Sequence, residues 1–298
     1  NNYRIGGRAD YFFRARNVND LIEAVEEGRK KKLPIFILGG GTNVLISDQG
    51  FRGLVIKMDI DYLKNPKSLI IKAGAGVLME DLIGYALKHS LSGLEWAGGL
   101  PGSLGGAIRG NAGAFNGEIK DLIKEVVSLD VKKKKPEIIK RTKAQCQFNY
   151  RHSIFKNNGE VVIEATLYFK KGERELIKKA IEEKIYYRIS NHPLEYPNIG
   201  SIFKNVPFDK FSKKWQQKLM PVIKNDPIPV IPSAYLISEC SLKGISFGGA
   251  MISPKHSNFI VNVLDARAKD VEKLIALTKK GVKKKFNVSL EEEIEHVI

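Results

Sequence analysis

The chain has 298 residues, 43% hydrophobic and 28% charged, which is enough to build a core without disulfide or metal staples and excludes a disordered chain. Its apolar runs fall short of a bilayer span. Cys146 and Cys240, the only two cysteines, exclude a CxxC redox pair and a cysteine zinc cage, so a reducing cytoplasm and no metal site are expected. The net charge of +16 comes largely from lysine, in runs at 30–32, 132–135 and 283–285. No interleaved aromatics, arginines or nucleic-acid motif accompany these runs, so they read first as solvated faces and otherwise as attraction for an anionic ligand, with no nucleic-acid or membrane partner.

In chain order, Asn19 is expected to precede a helix with Leu21, Ile22, Ala24 and Val25 on one face. Ile35–Leu38 reads as a strand broken by Gly39, Gly40 and Gly41, and Val44–Ile46 and 54–56 read as further strands. Residues 69–72 form another, leading through Gly74-Ala75-Gly76 to a helix at 79–89. This stretch imitates a dinucleotide fingerprint, but Met79 occupies the position that needs Gly or Ala for close helix–strand packing, so it reads as a turn. Residues 98–113 hold seven glycines in sixteen positions, and no regular helix or strand is expected there, since each interior glycine costs about 0.5–1 kcal/mol. Further on, 125–131 and 137–141 read as a hairpin, 161–169 as a strand and 173–189 as a helix. The proline-dense stretch 191–232 reads as loop. It is followed by a short helix at 233–241, a strand at 259–264 and an amphipathic helix at 268–286. The pattern is mixed α+β, without steady βαβ alternation.

Five segments carry chemistry. Gly39-Gly40-Gly41-Thr42-Asn43 enters a strand and offers no helix N-terminus. It is either an anion-binding nest of backbone N–H groups or a plain tight turn. Leu100-Pro101-Gly102-Ser103-Leu104-Gly105-Gly106-Ala107-Ile108-Arg109-Gly110-Asn111-Ala112-Gly113-Ala114 lacks the GK[ST] of a phosphate loop. Its glycines suit a backbone that must approach a ligand, with Ser103 and Asn111 adding side-chain hydrogen bonds. Tyr150-Arg151-His152-Ser153-Ile154-Phe155, Gly200-Ser201-Ile202-Phe203-Lys204-Asn205 and Leu290-Glu291-Glu292-Glu293-Ile294 complete the set. Taken singly, each has an ordinary surface reading.

Their joint order, with the opening Arg4-Ile5-Gly6-Gly7-Arg8-Ala9-Asp10-Tyr11-Phe12, resembles the UDP-N-acetylenolpyruvoylglucosamine reductase (MurB) family in its shorter subtype, across essentially the whole chain. Thr42 stands where Ser is commoner, and His192-Pro193 where Gln-Pro is commoner. A start at Asn1 and an end at Ile298 without a closing glycine suggest trimmed termini. The resemblance implies a vanillyl-alcohol-oxidase/PCMH-type FAD-binding domain in two subdomains, 1–72 and 73–190, and a C-terminal α+β substrate domain, 191–298. It implies non-covalent FAD held by Gly39, Gly40, Gly41, Thr42, Asn43, Pro101, Gly102, Ser103, Gly105, Gly106, Asn111 and Gly113, and NADPH as co-substrate. The reaction it implies is that of a UDP-N-acetylmuramate dehydrogenase: reduction of UDP-N-acetylglucosamine enolpyruvate to UDP-N-acetylmuramate by a monomer. Arg151 then faces the substrate carboxylate, Ser201 donates a proton, and Glu293 is a nearby carboxyl. Lys204, Asn205, His256 and Asn258 contact substrate. Two rivals are another oxidase or dehydrogenase of the same fold, acting on a different sugar or alcohol, and a polyanion-binding protein using the lysine runs.

Overall fold

The computed structural model describes residues 1–225 and 228–298. They form two compact units, one of residues 9–40 and 52–186, the other of residues 1–8, 41–51 and 187–298.

The first unit opens with the strand Ala9–Ala15 and helix α1, Val18–Lys30. The cap of α1 is Asn17, whose side chain accepts the Asp20 N–H at 2.9 Å. The expected start at Asn19 is therefore corrected by two residues, because capping needs an acceptor that reaches the N3 amide. Leu21, Ala24 and Val25 are buried as the periodicity requires, Leu21 and Val25 each contributing on the order of 1.5–3 kcal/mol and the Ala24 methyl about 0.8 kcal/mol. Ile35–Leu38 pairs in parallel with Phe51–Met58. A five-stranded antiparallel sheet runs Glu137–Thr142, Ile123–Asp130, Glu160–Tyr168, Ile70–Gly74, Leu63–Lys67, and it contains the expected hairpin. On this sheet Arg141 binds Glu160 through two hydrogen bonds, and the Ser128 hydroxyl donates to the same carboxylate at 2.6 Å. The Arg141 partner holds the Glu160 carboxyl below its ordinary range. Burial raises the Cys146 thiol to about 11, so this cysteine is inert packing.

Gly74-Ala75-Gly76 is a turn between the strand Ile70–Gly74 and helix α2, Met79–Lys88. A Cβ at Gly74 would lie 2.1 Å from the Ile60 carbonyl oxygen. The turn's N–H groups bond to Tyr62, Ile163 and Ile60 carbonyls, leaving none for a phosphate. The glycine-rich segment departs from expectation, because Leu104–Gly110 is helix α3. The reason is packing. The segment before it docks along the start of α2, with the Met79 N–H on the Gly102 carbonyl and the Leu104 N–H on Val77. Gly105 then comes so close that a Cβ would sit 2.9 Å from the Ala75 methyl. Tertiary contact here outweighs the low helix propensity of glycine. Helix α4, Arg174–Asn191, completes the unit and carries the chain into the second.

In the second unit, α5 (Lys213–Leu219), α6 (Ser233–Glu239) and α7 (Ala268–Phe286) surround short sheets. Its core includes Tyr3, Phe203, Leu236, Ile252, Val271, Leu274 and Phe286. The Asp48 carboxylate accepts the Ala268 and Lys269 amides at 2.7 and 3.3 Å, placing an anion where the α7 dipole is positive. Val44–Ile46 pairs in parallel with Glu295–Val297, which ties the first glycine loop to the chain's last strand. Among the described residues no helix is long and apolar enough to cross a membrane.

Candidate active site

The structure gathers the expected residues into two groups, one in each unit. In the first unit, the loop at Gly39 and Gly40 meets the segment before α3. The Gly40 N–H donates to the Ser103 hydroxyl at 3.2 Å. A Cβ at Gly40 would lie 2.6 Å from Gly102 Cα, and one at Gly39 2.7 Å from Ser103 Oγ. Gly40 therefore permits two backbones to touch, and Gly39 leaves room for the Ser103 hydroxyl. Lys57 donates to the Gly39 carbonyl at 2.7 Å and so fixes the loop from its other side. Along α3 the glycines differ in role. Gly105 packs inward, whereas a Cβ at Gly110 would meet nothing within 4 Å and one at Gly106 only Ser103 Oγ at 3.6 Å. That bare backbone, beside Gly102 at φ +111°, is a cradle any side chain would fill. The residues present fit a flat, phosphate-bearing cofactor.

Asn111 ends α3 in the left-handed conformation. It is fully buried, and its amide donates to Glu118 at 2.8 Å and to the Asn149 carbonyl at 2.9 Å. The side chain therefore joins the end of α3 to the turn that carries Arg151. In that turn the Asn149 and His152 backbones bond to each other, and Arg151 takes φ +52°, an uncommon conformation for a non-glycine residue. The Arg151 guanidinium donates to the Gly113 carbonyl at 2.8 Å and lies 5.0 Å from the Tyr150 ring centre. Its fork is held by backbone and aromatic face together.

The second unit holds the remaining residues. The Asn198 side chain accepts the Gly200 N–H at 3.0 Å, just before Ser201. Beyond Ser201, the Ile202 N–H donates to the Asn258 carbonyl at 2.8 Å, and the Glu293 N–H donates to the Ile202 carbonyl at 2.8 Å. Phe203 and Glu292 form an antiparallel bridge. Ser201 and Glu293, 92 positions apart in sequence, thus lie on adjacent paired segments. Asn43 donates to the Glu293 carbonyl at 2.9 Å, so the end of the first glycine loop braces the same segment. Asn258 is buried, with its amide spent on both the N–H and the carbonyl of Phe203, at 3.0 and 2.8 Å. Lys204 pairs with Glu291, and Asn205 accepts the Ser233 N–H at 3.1 Å. Sequence reasoning missed Asn198, although an Asn two residues before a Gly is a legible Asx-turn signal.

His256 sits in a ring cluster, 5.3 Å from His192 and 4.8 Å from Phe259, with His192 5.0 Å from Phe259 and 6.2 Å from Tyr187. Burial pushes both imidazoles down to about 4. Nearby charge acts in the same direction: His256, Arg188 and Lys255 act on His192, and Lys224 and Lys243 act on His256. Both rings are neutral at pH 7. The unfolded chain takes up protons near pH 6.5 that the folded rings refuse until about pH 4. Stability is therefore full above pH 6.5 and falls as pH drops from 6.5 to 4, by on the order of 2–3 kcal/mol per ring. Urea midpoints at pH 7 and pH 5 should differ more for the wild type than for His192→Phe. Equal differences would remove His192 from the cluster's pH response.

Comparison with known proteins decides the family. Residues 9–140 match the model of an FAD binding domain, and residues 192–297 match the model of the UDP-N-acetylenolpyruvoylglucosamine reductase C-terminal domain. The chain is 38% identical over 300 residues to the UDP-N-acetylenolpyruvoylglucosamine reductase of Lachnoclostridium phytofermentans, covering 98% of this chain and 88% of that protein. The chain belongs to the UDP-N-acetylenolpyruvoylglucosamine reductase (MurB) family. The family's enzyme from Caldanaerobacter subterraneus subsp. tengcongensis is 37% identical over 300 residues, covering 99% of this chain and 89% of that protein. The crystal structure of MurB from Thermus caldophilus superposes with a TM-score of 0.77 at 28% identity, covering 100% of this chain and 95% of that one. The fold is thus α+β with an FAD-binding domain, and the chain is a flavoprotein oxidoreductase with FAD as its cofactor.

Proposed function

We propose that the chain reduces UDP-N-acetylglucosamine enolpyruvate to UDP-N-acetylmuramate with NADPH as co-substrate, a step of peptidoglycan precursor synthesis run in the cytoplasm by a monomer. Gly39, Gly40, Gly102, Ser103 and Gly106 would hold FAD, whose bound flavin supplies to C3 of the enolpyruvyl group the hydride that NADPH provides. The protein's own work begins with the charge this leaves on the substrate. An electron pair develops at C2 and spreads into the adjacent carboxylate, which calls for a fixed cation. Arg151 offers a planar fork already oriented by Gly113 and Tyr150, and a fork of that kind matches a carboxylate. Ser201 then gives its hydroxyl proton to C2. The serine O–H bond breaks as the C2–H bond forms, and the serine oxygen regains a proton from solvent. A serine is a weak acid, so the transfer depends on position and neighbours. Glu293, whose N–H donates to the Ile202 carbonyl, is a carboxyl on the segment paired with this one. Its assigned part is that of a carboxyl near the substrate carboxylate.

The observation that carries this reading is the backbone pairing that sets Glu293 opposite Ile202, one residue from Ser201. Ser201 and Glu293, two of the three proposed groups, thus lie on adjacent segments. The test is mass spectrometry of the product. FAD-loaded protein should convert the enolpyruvyl sugar into a species heavier by two hydrogens, one per NADPH consumed. NADPH oxidation that ignores the sugar and tracks oxygen uptake would point to an oxidase instead.

A further inference from the structure

We propose that Asn198 is a positioning residue for Ser201, setting the reach of its hydroxyl through an Asx turn closed on Gly200. The inference rests on Ser201 as proton donor. Asn198 is 8% exposed, and every polar atom of its amide is engaged. Its oxygen accepts the Gly200 N–H at 3.0 Å, and its nitrogen donates to the Tyr196 carbonyl at 2.9 Å and the Pro193 carbonyl at 3.3 Å. The Asn2 side chain donates to its main-chain carbonyl at 3.3 Å. Gly200 has φ +81°, and a Cβ there would meet nothing within 4 Å. The glycine is therefore required by the turn's conformation and not by lack of space.

From Ile202 onward the chain is pinned independently. Asn258 takes the N–H of Ile202 and both backbone groups of Phe203, Glu293 takes the Ile202 carbonyl, and the Lys204 N–H donates to Glu291. Ser201 is the one residue between the Asx turn behind and this ladder ahead. Opening the turn would let Gly200 relax and swing Ser201, while the ladder and the core beneath it stay in place. A proton donor misplaced by about 1 Å costs on the order of 10²-fold in rate. Substrate affinity has no reason to change as much.

Asn198→Ala in the FAD-loaded protein is expected to be reduced by NADPH at the wild-type rate. Its reoxidation by the enolpyruvyl substrate should slow by about 10–10² with little change in substrate KM, and with a larger solvent deuterium isotope effect on that step. Asn198→Ser keeps an oxygen that can close the same turn and should recover part of the rate. If Asn198→Ala folds poorly, Gly200→Ala makes the same test, because it strains the turn without a clash. The deciding arm is the double variant. On a Ser201→Ala background neither change should slow reoxidation further, since both act through the hydroxyl already removed. Equal slowing on both backgrounds would make Asn198 merely structural and overturn the proposal. Wild-type reoxidation by Asn198→Ala, with Ser201→Ala still slow, would overturn it while leaving the proton donor in place. Normal reoxidation by Ser201→Ala would remove the donor and the inference with it.

Discussion

In stopped-flow absorbance at the flavin band, Ser201→Ala is expected to keep its FAD and to bleach with NADPH at the wild-type rate, but to recover its colour with the enolpyruvyl substrate about 10²–10⁴ times more slowly. That range is the usual worth of a positioned general acid. The selectivity follows from the order of events. As the proposed proton donor, Ser201 would act only after negative charge has developed at C2, so removing its hydroxyl should leave the NADPH half-reaction untouched. Glu293→Gln should slow the same half-reaction, and Arg151→Ala should in addition weaken substrate binding by removing the carboxylate's partner. Impaired reduction by NADPH with intact reoxidation would assign Ser201 to the nicotinamide instead.

The second large effect is expected from one added methyl group. A Cβ on residue 40 would lie 2.6 Å from Gly102 Cα and 3.0 Å from the Ser103 nitrogen, and backbone cannot move aside as a flexible side chain can. Gly40→Ala must push apart the two loops that Ser103 joins and break the 3.2 Å bond to its hydroxyl. The cost should be on the order of 3 kcal/mol, at the upper end of ordinary substitutions. Most of it should appear as lost cofactor, because the same loops line the bare face of α3. The variant's Kd for FAD should rise by at least about tenfold, since 1.4 kcal/mol in binding is tenfold. Gly110→Ala is the control for space, because its Cβ meets nothing. Without FAD it should fold at least as stably as the wild type, Ala being the better helix former. An unchanged Kd for FAD in Gly40→Ala would show that the loops do not hold the cofactor.

Elements whose periodicity is strong were legible in the sequence. The helix at 268–286 and the strands 35–38 and 44–46 stand where the pattern puts them. Helix α3 was not legible, because glycine reads as a helix breaker until Ala75 is seen occupying the space Gly105 leaves. Nor was the pairing of 44–46 with 295–297, because nothing local encodes a partner some 250 residues away. The candidate site divides the same way. Motif order singled out Asn111 and Asn258 as polar residues near ligands, whereas the folded chain spends their amides on Glu118, Asn149 and Phe203. A sequence shows that a polar residue is present, but only the fold shows which backbone groups would be left buried without it.

The central claim is tested most directly by an anaerobic titration of the purified protein followed in the visible spectrum. A flavin spectrum is expected, and heat or acid should release all of the flavin from the chain. One equivalent of NADPH should bleach it, and one equivalent of UDP-N-acetylglucosamine enolpyruvate should restore it with oxygen absent. A reduced flavin that stays bleached with the enolpyruvyl sugar and recovers only when air is admitted would contradict it.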